Sequence, residues 1–243
     1  MEKPKGTEAA IEALKEKLTG TDQLFPRIQL LQQLSKAYRD IDMQTALAYA
    51  EEAFQLTETN EFKANPDARV LADSLSHLSF ALSKLNDLKS ALQRGLQALA
   101  IYETLDWSSG YAAVLTTVGF SYAIFGNHVE ALQHALKALE VARAIGDLRE
   151  ELQARNALGV VYGMAEDYEE SYRHFLSCLE LEAALNLETN PATLNNCSLI
   201  NIYMGNYEVA LDYGLRCLEA AEKSNHFTMQ HAGRAVKDRK SVV

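Results

Sequence analysis

The sequence repeats itself with a period close to 40 residues, and this internal repeat constrains the fold more than any other feature. Asn86, Gly126, Glu166 and Gly205 are each followed five positions later by a small residue and then by a large one. The small residues, at separations of 45, 40, 40 and 39, are Ala46, Ala91, Ala131, Ser171 and Ala210. A fixed period of this length predicts stacked copies of one supersecondary unit.

Each copy contains two apolar patterns of helical spacing with the turn between them. In the third copy the apolar positions recur at intervals of three and four on both sides of Gly126; they are Ala112, Leu115, Val118, Tyr122, Ala131, Ala135, Ala138 and Leu139. The chain has only 12 Gly and 4 Pro, too few for the many turns of a β-sandwich or barrel of 243 residues. The sequence therefore predicts an all-α fold of helix-turn-helix units.

Proline, glycine and small residues add detail to these units. Pro26, Pro66 and Pro191 are predicted to mark the starts of first helices, and Gly146 the end of a second helix. Gly119 and Gly159 are predicted to let the paired helices approach closely. Small residues near the ends of the second helices are predicted to belong to the same close helix contact: Ala53, Ala98, Ala138, Cys178 and Cys217.

These residues resemble the tetratricopeptide repeat (TPR) family. The resemblance is carried by Val118-Gly119, Tyr122, Gly126-Asn127, Ala131-Leu132 and Ala138, and in the next copy by Leu158-Gly159, Tyr162, Phe175 and Leu179. It covers about residues 24 to 226, with departures at Ser35 and at Cys197-Ser198. It implies a right-handed superhelical solenoid of about five helix-turn-helix repeats. The 40-residue period is similar to that of TPR regions in bacterial regulatory and signalling proteins.

The predicted organisation has three parts. Residues 1–20 form an N-terminal capping helix, residues 21–226 the solenoid, and residues 227–243 a basic tail that is a weak helix or disordered. The repeats are placed at about 24–62, 66–106, 107–146, 147–186 and 187–226. The tail carries Arg234, Lys237, Arg239, Lys240 and Asp238, the reverse of the acidic body, and is a poor cap for a solenoid. Truncation of a longer protein, a homodimer contact and disorder are the alternatives at this end.

No catalytic or cofactor motif has persuasive spacing, so we expect no enzyme activity, no cofactor and no metal. His134 and His174 are interpreted as surface histidines, and Cys178 and Cys217 as buried small hydrophobes. The net charge of −10 disfavours nucleic acid and anionic membranes as partners. No apolar run approaches 18 residues and no secretory leader is recognisable, so a cytoplasmic location is expected.

The resemblance implies a concave groove lined by the first helices. Counting along the pattern places polar and basic residues at its N-terminal end, including Gln29, Gln32 and Asp73, and apolar residues with amides at its C-terminal end. The candidate peptide-binding residues are Lys36, Arg39, Phe80, Lys84, Thr116, Phe120, Asn156, Val160, Asn195, Leu199 and Tyr203.

The groove residues have two competing interpretations. In the first, Asn156 and Asn195 pair with a peptide backbone, an apolar stripe takes its side chains, and the three cations hold a carboxylate. In the second, the stripe packs between first helices and the cations are solvated. The first interpretation predicts a noncatalytic scaffold for a protein or peptide ligand. The alternative function is a sensory input domain that binds a small signal or peptide and controls an effector domain.

Overall fold

A computed structural model describes residues 5–39 and 41–223, and the regular secondary structure of those residues is entirely α-helical. They fall into two compact units that divide between Phe125 and Gly126, within the predicted third repeat. The first four residues, Asp40 and the basic tail, with the homodimer contact considered there, lie outside the described residues. Among the helices described, none is both long and apolar enough to cross a bilayer.

The described residues of the first unit form seven helices. They are α1 (Lys5–Thr19), α2 (Leu24–Tyr38), α3 (Met43–Thr57), α4 (Asn60–Ala64), α5 (Ala68–Lys84), α6 (Leu88–Tyr102) and α7 (Ser109–Ile124). Helices α2 and α3 form one hairpin and α5 and α6 the next, while α3 and α2 both pack against α5. Helix α1 packs on α2, and α7 packs on α5 and α6. Consecutive hairpins therefore bury one another's apolar faces within this unit.

Five helices lie in the second unit as far as residue 223, where the described residues end. They are α8 (His128–Ile145), α9 (Leu148–Met164), α10 (Tyr168–Ala184), α11 (Pro191–Tyr203) and α12 (Tyr207–Lys223). Each packs against the next along the chain, with α9 and α10 as one hairpin and α11 and α12 as another. A core of Phe175, Leu194, Cys197, Ile200 and Cys217 joins the two hairpins.

The predicted small residues are buried in both units. The five that follow the turns and the five late in the second helices are each at most 2% exposed. Gly159 shows why size matters, because a Cβ there would lie 2.7 Å from the Phe175 ring. The prediction of close helix approach at Gly159 is thus confirmed.

Serine hydroxyls connect the paired helices at the same level. The Ser79 hydroxyl donates to the carbonyl of Ala91, and that of Ser198 to the carbonyl of Ala210, each at 2.7 Å. In the α9–α10 hairpin the direction is reversed, since Ser171 on the second helix donates to Gly159 on the first at 2.6 Å. In each of these three hairpins, the backbone carbonyl of a small residue on one helix therefore accepts a hydrogen bond from a serine of the other helix.

The turn residues adopt the left-handed backbone conformation. Asn86, Gly126, Glu166 and Gly205 have φ of 67°, 80°, 62° and 78°. Gly146, with φ of 71°, ends α8 as predicted. The residue after such a turn residue caps the next helix, as Asp87, Asn127 and Asp167 do for α6, α8 and α10. The Asp87 and Asp167 carboxylates accept hydrogen bonds from backbone N–H groups in the first turns of α6 and α10.

The three prolines predicted the starts of the first helices with different accuracy. Pro191 is the first residue of α11, whereas Pro66 precedes the cap of α5 and Pro26 is the third residue of α2. The longer spacing after the first copy holds the short helix α4, which the sequence pattern did not predict. Its Phe62 is 2% exposed and packs into the core formed by Ile28, Leu31, Ala53 and Val70.

Glu166 is the residue at which the repeat carries backbone strain, because a left-handed conformation is unfavourable for a residue with a Cβ. We expect Glu166→Gly to raise the free energy of unfolding by about 1 kcal/mol. Glu169→Gly, an equal change of composition inside the first turn of α10, is expected to lower it by about 1 kcal/mol. Urea unfolding of both variants measures the two changes in the free energy of unfolding. A Glu166→Gly variant less stable than wild type would contradict backbone strain at Glu166.

Candidate functional site

The first unit has a cleft between the first helices of its two hairpins. Its volume is about 450 Å³, and its walls come from α2 and from α5 with the residues leading into it. Four of the residues that counting along the repeat placed on this inner side line it: Gln29, Gln32, Lys36 and Asp73. The other lining residues are Gln33, Asp67, Arg69, Val70 and His77.

Two of the lining residues make internal hydrogen bonds that fix the cleft. Gln32 is 7% exposed, and its amide donates to the Val70 carbonyl at 3.0 Å and the Ser74 hydroxyl at 2.8 Å, joining α2 to α5. The Tyr102 hydroxyl of α6 donates to the Asp73 carboxylate. Burial raises the pKa of Asp73, which the Tyr102 bond partly offsets. These groups hold the walls of the cleft in place.

The basic candidates surround an aromatic ring beside the cleft. The Arg39 guanidinium lies 4.1 Å from the centroid of the Phe80 ring, and the Lys84 ammonium lies 5.4 Å from it. Arg39 also approaches His77, with its Nη2 atom 2.9 Å from the imidazole Nδ1. Phe80 is half-buried, whereas Lys36 and Lys84 are exposed. The structure therefore brings Arg39, Phe80 and Lys84 together, with Lys36 on the adjoining wall of the cleft.

His77 is held in its neutral form at this place. Burial lowers its pKa well below the usual value for histidine, and the charges of Arg39 and Lys36 lower it further. Because a guanidinium carries only donors, the Nδ1 atom facing it must be the acceptor. The tautomer assigned from this bond has its proton on Nε2.

The remaining candidates of the first unit lie on α7. The Thr116 hydroxyl donates to the carbonyl of Ala112 one turn earlier at 3.0 Å, so its hydrogen is used within the helix. Phe120 is half-buried, as Phe80 is. Neither lines the cleft between α2 and α5.

The candidates of the second unit lie on α9 and α11. Asn156 and Asn195 are half-buried, and neither amide is hydrogen-bonded to another residue in the part of the chain that the structure describes. Val160 packs against the core, as the packing interpretation of the stripe predicts, while Leu199 is 44% exposed. Tyr203 is 58% exposed and stacks on Tyr168, with ring centroids 5.1 Å apart.

A second hollow of the same unit was not predicted from the sequence. It has a volume of about 790 Å³ and lies between the turn after α9 and the turn after α11. Its walls are Ala165, Glu166, Asp167, Tyr168, Glu169, Met204 and Asn206. The repeat pattern predicts the backbone conformation of the turns but not the surroundings of their side chains. It therefore gave no indication that the side chains of these two turns surround a hollow.

Cysteines and histidines of the repeat positions are accounted for by packing. Cys178 and Cys217 are at most 1% exposed, as predicted, and burial raises the pKa of the Cys178 thiol to about 12. His174 is half-buried rather than on the surface, because its ring stacks on Tyr162 with centroids 5.5 Å apart. His134 is also half-buried, with its Nδ1 atom 2.7 Å from the Glu130 carbonyl oxygen. The described residues include no group of three or more side chains suited to a metal ion.

His77 is the residue that sequence reasoning missed in the first unit. It falls between the inward positions Ser76 and Phe80 in the repeat count, and it has no matching histidine in the other copies. Its contact with Arg39 depends on how α2 packs against α5. The sequence offered one indication of this contact: Arg39 comes at the end of the first helix of one copy, and His77 lies midway along the first helix of the next.

Antiparallel helix pairs that cross at small residues, repeated along the chain, place the protein in the class of α-helical repeat proteins. Tetratricopeptide repeat family models match residues 71–105 and 110–181. The chain thus contains tetratricopeptide repeats in these two segments. Repeats of this kind are interaction modules, in which stacked hairpins present binding surfaces. No curated protein matches the sequence at a significant level.

Several solved structures share the fold at low sequence identity. A Rap protein complexed with competence and sporulation factor is 15% identical with a TM-score of 0.73, covering 93% of this chain and 62% of that chain. The Rap conjugation gene regulator of plasmid pLS20, in complex with the Phr* peptide, is 16% identical with a TM-score of 0.68, covering 86% and 56%. A thermophilic TPR protein of Thermus thermophilus is 19% identical with a TM-score of 0.62, covering 86% and 98%. This chain thus spans less than two thirds of the two Rap chains.

The neutral state of His77 predicts how stability depends on pH. Because the folded chain binds its proton only at lower pH, the stability that His77 contributes is complete above the unfolded pKa of about 6.5 and is lost as the pH falls below it. His77→Gln removes this titration and keeps an oxygen that can accept from Arg39. We expect wild type to lose stability relative to the variant by up to about 1.4 kcal/mol per pH unit below pH 6.5. Urea unfolding at pH 7.5, 6.5 and 5.5 measures the difference, and parallel profiles would contradict a neutral His77.

Proposed function

We propose that this protein is a noncatalytic module that binds a protein or peptide ligand through the first helices of its hairpins. The observation that carries the proposal is the cleft between α2 and α5, whose walls include four residues placed on the inner side by the repeat count alone. Hydrogen bonds from Gln32 and Tyr102 hold those walls, so little ordering of the receptor is required on binding.

The side chains at each surface suggest how a peptide is recognised. In the first unit, Lys36, Arg39 and Lys84 offer charge for a carboxylate, and Phe80 offers an apolar face. In the second, the half-buried amides of Asn156 and Asn195 can each donate to and accept from a peptide main chain. Leu199 and Tyr203 expose apolar area on the same helix as Asn195. The net charge of −10 makes nucleic acid and anionic membranes poor alternatives as partners.

A second candidate function is a regulatory input domain. The two Rap structures support it, because one of those proteins is a conjugation gene regulator in complex with a peptide and both chains are longer than this one. As an input domain, the protein would bind a signal peptide at the same surfaces. Binding would then control an effector domain, whereas a scaffold only holds its ligand. A native open reading frame that continues into a catalytic domain would favour the input domain over the scaffold.

The amides of the second unit give the first test of binding. A random peptide library with free carboxyl ends is selected on the full chain, and the affinity of a selected peptide is measured by fluorescence anisotropy. Asn156→Ala and Asn195→Ala are each expected to weaken it by about 1–3 kcal/mol, because a buried peptide group is left unpaired. Gln133→Ala, an exposed amide on the second helix α8, is the matched control.

Two results would contradict the proposal. Unchanged affinity in both asparagine variants would remove the amides from the binding surface. Turnover by the purified chain in an unbiased substrate screen would overturn the noncatalytic assignment.

A further inference from the structure

We propose that Arg39 and His77 form a proton-linked subsite for a carboxylate of the bound ligand: His77 takes up one proton from solvent when the carboxylate binds, so acidic peptides bind more tightly as the pH falls. The inference rests on the proposed use of the cleft in peptide binding. It adds a residue that the repeat pattern did not single out, and it assigns that residue a measurable property.

The empty subsite has a defined protonation state. The Arg39 guanidinium donates from Nη2 to Nδ1 of His77 across 2.9 Å, which requires an unprotonated Nδ1. The Phe80 ring, 4.1 Å from the guanidinium carbon, holds the other side of this contact. His77 lines the cleft together with Lys36, so a ligand in the cleft reaches both.

The charges around His77 oppose a proton in the absence of a ligand. Burial disfavours the proton most, and the charges of Arg39, the residue after α2, and of Lys36 on α2 disfavour it further. On α5 itself Asp73 lies one turn before His77, where it accepts from Tyr102 of α6. Glu52 of α3 is paired with Arg27, and Arg94 of α6 lies over Phe54. Arg69 of α5 is half-buried and donates to the Ser108 hydroxyl and to the Asp106 carbonyl. The remaining charged residues of these helices are exposed, as is Asp67 at the start of α5: Glu51 of α3, Lys84 of α5 and Lys89 of α6. Helix α7 contains no Asp, Glu, Lys, Arg or His.

A carboxylate in the cleft reverses this balance. Its negative charge compensates an imidazolium, and a protonated Nδ1 becomes a donor that can bond the carboxylate. The same proton removes the acceptor that Nη2 of Arg39 uses on His77, so that this donor can turn toward the carboxylate. Because linkage is reciprocal, a ligand that favours the proton on His77 is itself favoured by protons.

The test uses N-acetylated tetraglutamate with a free carboxyl end, titrated calorimetrically into the full chain at pH 7.5, 6.5 and 5.5. Its carboxyl groups stay ionised over this range, with pKa values of about 4.3. We expect the affinity to rise about fivefold to tenfold between pH 7.5 and 5.5, because the bound carboxylate raises the pKa of His77 back toward the ordinary range of histidine. Buffers of different ionisation enthalpy should report net uptake of up to about one proton per peptide.

Matched variants locate the effect. His77→Gln is expected to bind the peptide with less than about a twofold change across the same pH range. His134→Gln, the same substitution on α8, is expected to keep the wild-type dependence. In wild type, imidazole nitrogen NMR should show the Nε2–H tautomer of His77 without peptide and a titration moved to higher pH with peptide, a measurement that does not require the variant to fold.

The outcomes separate the two proposals. Equal pH dependence in wild type and His77→Gln, or weaker binding at pH 5.5, overturns the proton linkage and leaves carboxylate binding standing. Failure of wild type to bind the peptide at every pH overturns carboxylate binding in the cleft together with the linkage. Binding by wild type that is lost in Lys36→Ala with Arg39→Ala places the peptide at this subsite.

Discussion

The close crossing of paired helices at small side chains is the contact on which the rest of the structure depends. Alanine, serine, glycine and cysteine at these positions allow backbone-to-backbone approach, and larger residues such as Phe175 then fill the space beside the crossing. Three serine hydroxyls bond a carbonyl oxygen across the crossing. Such bonds satisfy buried polar groups without adding bulk, so helix separation and polar satisfaction are achieved by the same residues.

The crossing also fixes which side chains of the first helices line the cleft. Once the second helix of a hairpin is pressed against the first, the residues of the first helix that point away from both partners are determined by helical periodicity. The left-handed residues Asn86, Glu166 and Gly205 give the α5–α6, α9–α10 and α11–α12 connections the same length. Gln29, Lys36 and Asp73 lie around one cleft of the first unit even though α4 lengthens the spacing between its two copies.

Repetition explains what the sequence predicted well and what it did not. The turn residues, the buried small positions and the first-helix set recur, so one copy supports the interpretation of the next. Helix α4 and His77 occur once and have no such support. Gln32 shows a different limit: periodicity placed it on the inner side, but only the packing of α2 against α5 shows that its amide bonds Val70 and Ser74 rather than facing a ligand.

The choice of partners for Arg39 bears on how an acidic chain maintains a basic site. The imidazole of His77 and the Phe80 ring both contact the guanidinium and orient it without adding a negative charge. Burial disfavours a proton on His77 most, and the cation of Arg39 disfavours it further. The contact that orients the arginine therefore adds to the suppression of the histidine charge, and an anion placed at this contact acts on both side chains.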